Sequence, residues 1–321
     1  MSGLFESLPF AVVLLLIGFV FLIKGADLFV DGSSNIAKKF CVPSVIIGLT
    51  IVAMGTSLPE TSVSVTASLM NNNALAISNA VGSNIFNMMV VIGFCGLITP
   101  VAVQEETLKR DFPFSVICAI LLLGMGFQGM VLGQTEGLVL VILFAGFIFS
   151  MIRAALKARK AGQMQEETQE KTLSTWKCIL FVVIGAIGIA LGGDWVVEGA
   201  STIATTFGFS QTLIGLTIVS IGTSLPELVT SVVAAKKKEV GLAVGNAIGS
   251  NIFNILMVLG IASSISPIAF MMENVIDIII LVIFSVIVWI MAKSKKMIDR
   301  KEGAIMLLLY LAYMVYIIVR P

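Results

Sequence analysis

The chain has no histidine among its 321 residues, which removes His-based acid–base catalysis and His metal ligation at once. Charge is scarce as well: Asp, Glu, Lys and Arg make up 12% of the residues, against roughly 25% in a soluble globular domain. The four cysteines, Cys41, Cys95, Cys118 and Cys178, stand singly in or beside apolar stretches with no C-x-x-C spacing. They read as small hydrophobes and argue against a zinc or redox site. The N-terminus shows neither a basic n-region nor a small-residue cleavage site, so its first apolar run is expected to stay as a membrane helix. What fills the chain instead is apolar: 58% of residues are hydrophobic and the mean hydropathy is +1.05. A polytopic membrane protein follows. The net charge of +1 says nothing about partners until the charges are placed.

One segment occurs twice, letter for letter: Gly55-Thr56-Ser57-Leu58-Pro59-Glu60 and Gly222-Thr223-Ser224-Leu225-Pro226-Glu227, 167 positions apart. The same offset relates the segment from Asn79 to Asn87 to that from Asn246 to Asn254, Gly25-Ala26-Asp27 to Gly192-Gly193-Asp194, and Ile98-Thr99-Pro100 to Ile265-Ser266-Pro267. A constant offset across four segments marks a duplicated structural unit.

Apolar spans of about 20 residues fall at 8–31, 43–71, 73–98, 111–128, 133–155, 175–199, 210–236, 239–265, 271–292 and 302–319. The expected fold is therefore an all-α integral membrane protein of ten transmembrane helices, arranged as two five-helix repeats over residues 1–157 and 176–321. Residues 158–175, rich in Lys, Gln and Glu, read as a mobile linker between them. Of the 20 Lys and Arg, 18 lie in the loops after the first, third, seventh and ninth spans or around the linker. The alternate loops contain none. The positive-inside rule then makes these loops and the linker cytoplasmic and puts both termini outside. An odd number of spans per repeat inserts the second half in the opposite sense to the first. Secondary transporters built on such inverted repeats bind their substrates at the midplane, where interrupted helices meet.

Glu60 lies eleven residues before Asn71, about 16 Å along a helix and so near the middle of a hydrocarbon core about 30 Å thick. Glu227 occupies the matching depth. A charge there costs at least about 2.5–3.5 kcal/mol, and such residues usually face a cavity or an ion path. Pro59 and Pro226 lack an amide hydrogen and clash with the carbonyl four residues back. The second and seventh spans should break there, freeing carbonyls from Ala53 to Thr56 and from Ser220 to Thr223. Exposed backbone of this kind is tolerated in a membrane only where it lines a cavity. The hydroxyls of Thr56, Ser57, Thr223 and Ser224 complete an all-oxygen set. In the third and eighth spans Asn87 and Asn254 reach mid-depth, with Ser83 and Ser250 nearby. Gly82 and Gly249 permit close helix approach or a local break. Hard cations want oxygen, and Ca²⁺ takes 6–8 such ligands. Two carboxylates neutralise one divalent or two monovalent ions, so mutually exclusive occupancy by Ca²⁺ and Na⁺ is the simplest physical basis for exchange.

A plainer reading exists for each signal. A Gly/Ser/Thr-rich membrane helix taken alone is usually a tight helix–helix interface; two identical copies with a glutamate at matched depth go beyond that. Asp27 and Asp194, with Asp31 and Glu198, lie toward helix ends and are expected to pair with Lys24 or to cap the bundle. Gly192-Gly193-Asp194 faintly resembles the active-site sequence of intramembrane aspartyl proteases. The 16 Met read as packing residues.

The two Gly-Thr-Ser-Leu-Pro-Glu segments, each followed by Gly-Ser-Asn-Ile-Phe-Asn, resemble the paired alpha repeats of the cation/calcium exchanger superfamily, specifically the prokaryotic sodium/calcium exchangers. The resemblance implies a ten-helix inverted-repeat antiporter coupling Na⁺ entry to Ca²⁺ extrusion, with the second, third, seventh and eighth helices interrupted. It implies ligands at Thr56, Ser57, Glu60, Ser83 and Asn87, and at Ser220, Thr223, Ser224, Glu227, Ser250 and Asn254, with Ala53 as the counterpart of Ser220. Some relatives, potassium-dependent exchangers among them, carry Asp where this chain has Asn254, which argues against potassium coupling. Gly82 and Gly249 stand where the proton-coupled branch carries Glu, which argues against a Ca²⁺/H⁺ exchanger without excluding one. A cation channel built on the same site and an intramembrane protease are the competing functions. The expectation is a non-enzyme of the plasma membrane with no cofactor. Its partners would be Ca²⁺, Na⁺ and the lipid bilayer, with no nucleic acid. Oligomeric state is not fixed by the sequence, and a monomer is compatible with it.

Overall fold

The computed structural model describes residues 8–70, 73–160, 173–209, 218 and 220–320. Among these, the helices are α1 (Leu8–Phe40), α2 (Ser44–Thr56), α3 (Leu58–Leu69), α4 (Ala74–Ile98), α5 (Thr107–Phe127), α6 (Gln134–Lys160), α7 (Thr175–Thr206), α10 (Val240–Ile265), α11 (Met272–Lys295) and α12 (Arg300–Val319), with α8 (Ser220–Thr223) and α9 (Leu225–Lys236) before α10. Eight are long and apolar enough to cross a membrane, and the bent pair α2–α3 makes a ninth span. Most of the expected linker (161–172) and the start of the expected seventh span (210–217 and 219) lie outside the described residues.

Several helices outrun their apolar spans. The first continues from the expected residue 31 to Phe40, giving 33 residues, about 50 Å against a hydrocarbon core of about 30 Å. Hydropathy marks where a helix meets lipid, whereas hydrogen bonding and capping decide where it ends. Asp27 and Asp31 consequently lie inside α1, short of its end, and their partner is Lys237, at 3.1 and 2.8 Å. The expected pairing with Lys24 is replaced because Lys237 arrives from the far end of α9.

α4 and α10 form the centre, 78% buried in their most apolar windows, whereas α1, α6, α7 and α12 are 17–28% buried and present Leu, Ile, Val and Phe outward. α1 and α7 run antiparallel with their backbones in contact. A Cβ added at Gly192 would stand 2.4 Å from the amide nitrogen of Leu22, so only glycine permits this approach. The same contacts set Gly18 level with the midpoint of Gly192 and Val196, and Gly25 level with the midpoint of Gly185 and Ile189. Asp27 and Asp194 are thus separated by about nine residues of helix, about 13 Å. They cannot form the carboxylate pair that an aspartyl protease needs.

Two short antiparallel ladders, unforeseen in an all-α reading, join the loops. Val101–Ala102 (β1) pairs with Met297–Ile298 (β4), and Val131–Leu132 (β2) with Ile268–Ala269 (β3). Each ladder links one half of the chain to the other. Backbone groups that leave a helix near the membrane surface need partners, and the opposite repeat supplies them.

Candidate cation site

The two Gly-Thr-Ser-Leu-Pro-Glu segments break their helices two residues before the proline. Ser57 (φ −86°, ψ 16°) ends α2, and Leu58–Leu69 leaves at 50° to it. Ser224 (φ −93°, ψ 2°) plays the same part between α8 and α9. Pro59 and Pro226 then fall in the first turn of α3 and α9, where a missing N–H costs nothing. Glu60 and Glu227 share that first turn, facing the positive end of a helix dipole that favours a carboxylate. The expected freeing of carbonyls is only partial. Ala53 O still accepts the Ser57 amide at 3.0 Å in an ordinary α-helical bond, and Ile221 O accepts that of Ser224 at 3.1 Å, where the last turn tightens to a three-residue spacing before the helix ends. Ser220 has its backbone in α8, but its side chain lies outside the described residues.

The third and eighth expected helices are not broken. α4 and α10 each run through a π-helical turn that begins at the asparagine, Asn87–Val91 and Asn254–Val258. Such turns shift register without ending the helix and recur at functional sites. Gly249 serves close approach, its position lying 2.7 Å from Leu49 Cα for an added Cβ.

These elements bring both glutamates into the interior, each with no exposed surface. Two of the hydroxyls that meet them cross between repeats. Ser57 Oγ donates to Glu227 Oε1 at 2.7 Å, and Ser224 Oγ lies 3.4 Å from Glu60 Oε1 and 2.9 Å from Ser83 Oγ, its one proton serving either. Ser83 and Ser250 donate within their own repeats, to Glu60 Oε1 and Glu227 Oε1, each at 3.4 Å. Every such donor goes to Oε1. Glu60 Oε2 and Glu227 Oε2 are buried with no hydrogen-bond partner, as are both amide atoms of Asn87 and Oδ1 of Asn254. Among the described residues every ion pair lies elsewhere. An ionised carboxylate buried without a counter-charge is expensive, so the site calls for a cation. Its donors are oxygens alone, and no group of three His, Cys, Asp or Glu gathers among the described residues. A hard cation held by two carboxylates and neutral oxygens fits; a soft transition metal does not.

Thr56 and Thr223 also reach the opposite repeat: Thr56 Oγ1, 3.2 and 3.3 Å from Val52 O and Ala53 O of its own helix, lies 3.0 Å from Asn246 Oδ1, and Thr223 Oγ1 lies 3.3 Å from Asn79 Oδ1. Asn79 Nδ2 in turn reaches Glu60 O and Ser64 Oγ at 3.4 and 3.1 Å, and Asn246 Nδ2 reaches Glu227 O and Ser231 Oγ at 3.3 and 2.9 Å. This scaffold of Asn79, Asn246, Ser64 and Ser231 had no role in the sequence reading. The signal was present, since both asparagines recur at the 167-residue offset in otherwise apolar helices.

A family model described as sodium/calcium exchanger protein matches residues 10–153 and again 177–319. The sodium/calcium exchanger MaX1 of Methanosarcina acetivorans is 31% identical over 94% of this chain and 97% of its own length. The inner membrane protein YrbG of Escherichia coli is 33% identical over 87% of this chain and 89% of its own. A solved structure of the sodium-calcium exchanger NCX_Mj superposes with a TM-score of 0.85 at 32% identity, covering 96% of this chain and 99% of that one. With the family model matched over both halves, the chain belongs to the sodium/calcium exchanger protein family.

Proposed function

We propose that this protein is a secondary antiporter that exchanges Na⁺ for Ca²⁺ by alternating access. The observation that carries the reading is the pair of buried glutamates, each left with one unpartnered oxygen, together with the buried, unpartnered oxygens of Asn87 and Asn254. Ca²⁺ is held by Glu60, Glu227, Asn87 and Asn254, with the hydroxyls of Ser57, Ser83, Ser224 and Ser250 orienting the carboxylates. Thr56, Thr223, Ser220 and the Ala53 carbonyl complete the lining. Na⁺ competes for the same oxygens. Membership of the family supports the pair of ions, as do the names of the sodium/calcium exchangers MaX1 and NCX_Mj.

In this reading ten helices form two inverted repeats in the plasma membrane, with both termini outside and the linker cytoplasmic. The ladders support the inversion. Val101 and Ile268 are equivalent positions 167 residues apart, yet Val101 pairs with Ile298, and Ile268 pairs with Leu132. The loops after the third and ninth spans therefore share one end of the bundle, and those after the fourth and eighth share the other. Lys296 and Glu105 pair across the loops at the first end, and Lys237–Asp31 and Lys38–Glu239 tie the basic loops after the seventh and first spans to each other; the positive-inside rule makes such basic loops cytoplasmic.

The test is Ca²⁺ flux in proteoliposomes under an imposed Na⁺ gradient, with and without K⁺ and with a pH gradient in place of Na⁺. Na⁺-driven, K⁺-independent Ca²⁺ uptake is expected. Uptake driven by the pH gradient alone would favour the Ca²⁺/H⁺ exchanger, and Ca²⁺ movement down its own gradient with no counter-ion would favour a channel.

A further inference from the structure

Asn84 and Asn251 lie one turn before Asn87 and Asn254, buried where α4 and α10 cross. Each donates its Nδ2 to the main-chain carbonyl of the other, at 3.2 and 3.1 Å. A carbonyl oxygen only accepts, so these two bonds decide which end of each amide carries nitrogen. Asn84 Oδ1 is therefore turned away from Asn251 O, and it meets Asn254 Nδ2 at 3.1 Å. That contact leaves Asn254 no freedom. Its nitrogen faces Asn84, and its Oδ1, buried and without a partner, is the end left to a cation. The mirror half of the network is open: Asn251 Oδ1 and both amide atoms of Asn87 have no partner.

We propose that Asn84 is a positioning residue that turns the oxygen of Asn254 into the cation site, and that Asn251 Oδ1 is the matching station for Asn87, engaged here on one side only. The inference rests on the reading of the site as cation-binding. An amide turned the wrong way presents N–H hydrogens to a cation instead of an oxygen, so orientation decides whether Asn254 attracts or repels it. The chemistry involved is that of a hard cation, Ca²⁺ or Na⁺, with Asn84 not touching the ion.

A double-mutant cycle on purified, monodisperse protein tests this, with ⁴⁵Ca²⁺ binding as the readout. An aspartate at position 254 offers oxygen at both ends and needs no orienting. Asn84→Ala is expected to weaken Ca²⁺ binding about tenfold or more in the wild-type background and less than about threefold in Asn254→Asp, contacting residues being the ones that couple. Asn251→Ala removes one bond between the same helices but none to Asn254, so its loss should be equal in the two backgrounds. Equal losses for Asn84→Ala in both backgrounds, or the same coupling for Asn251→Ala, would overturn the proposal. If Asn84→Ala does not fold, Asn84→Ser keeps a donor for the Asn251 carbonyl while withdrawing the acceptor from Asn254, and it takes the same place in the cycle. Loss of binding in Glu60→Gln and Glu227→Gln together with an additive cycle would sink the positioning role alone. Unchanged binding in both glutamine variants would remove the site itself.

Discussion

Replacing Glu227 by Gln takes away one of two formal charges while keeping the side chain's shape. Ser57 Oγ can still donate to Oε1, as it does at 2.7 Å, but the amide nitrogen then stands where the unpartnered Oε2 had been. A cation ligand becomes a donor. At an effective dielectric of about 20, unit charges about 4 Å apart attract by about 4 kcal/mol. With about 1.4 kcal/mol per decade of affinity, the loss is about three decades in Ca²⁺ affinity. A flipped amide, with its oxygen toward the ion and its nitrogen toward Ser57, would restore an oxygen ligand but not the charge. Glu60→Gln should behave alike, because Glu60 has the same buried setting with Ser83 and Ser224 as its donors. Folding should survive, since a neutral amide is easier to bury than an unpaired carboxylate. Isothermal calorimetry and ⁴⁵Ca²⁺ binding on monodisperse variants measure both effects. Near-normal Ca²⁺ affinity in both would refute the assignment of the two glutamates and the electrostatic reasoning with it.

Cys41 is exposed, whereas the other three cysteines are buried; in sealed vesicles of known orientation a membrane-impermeant maleimide should label it only from the cytoplasmic side. A cysteine introduced at the exposed Gln128 should react only from the outside, and labelling of both from one side would contradict the topology expected for the first repeat. Asp27→Asn leaves Lys237 paired with Asp31 and loses a partly exposed ion pair of about 0–1 kcal/mol, so Ca²⁺ affinity should stay within about threefold of wild type by calorimetry. Gly192→Leu forces a Cβ to 2.4 Å from the Leu22 amide. It should separate α1 from α7 at a cost of at least about 1–3 kcal/mol, read as a lower melting temperature in detergent, and an unchanged one would refute the close packing.

The duplication, the apolar spans, the gathering of basic residues into alternate loops and the matched positions of Glu60 and Glu227 are all legible along the chain alone. Each is a property of one stretch of residues or of a fixed offset between two, and hydropathy and repetition record such properties directly. The same local rules reached the helix breaks imperfectly. Proline forbids a hydrogen bond to the carbonyl four residues back, but which residue ends the helix depends on the bonds still available. The break accordingly falls at Ser57 and Ser224, and in α4 and α10 it becomes a π turn. Which hydroxyl meets which carboxylate emerges only when the helices pack. Ser57 bonds the glutamate 170 positions away, and Lys237 takes Asp27 and Asp31, more than 200 positions off. Such pairings follow from how each helix is rotated about its axis against a helix of the other repeat. In α10 the polar positions Asn246, Ser250 and Asn254, four residues apart, mark the face turned to the site, but the helix is buried on its other faces too, so the sequence carries no record of which neighbour each residue meets. The direction of the Asn254 amide lies further still from the sequence, because it is fixed by a carbonyl of one repeat acting through an asparagine of the other.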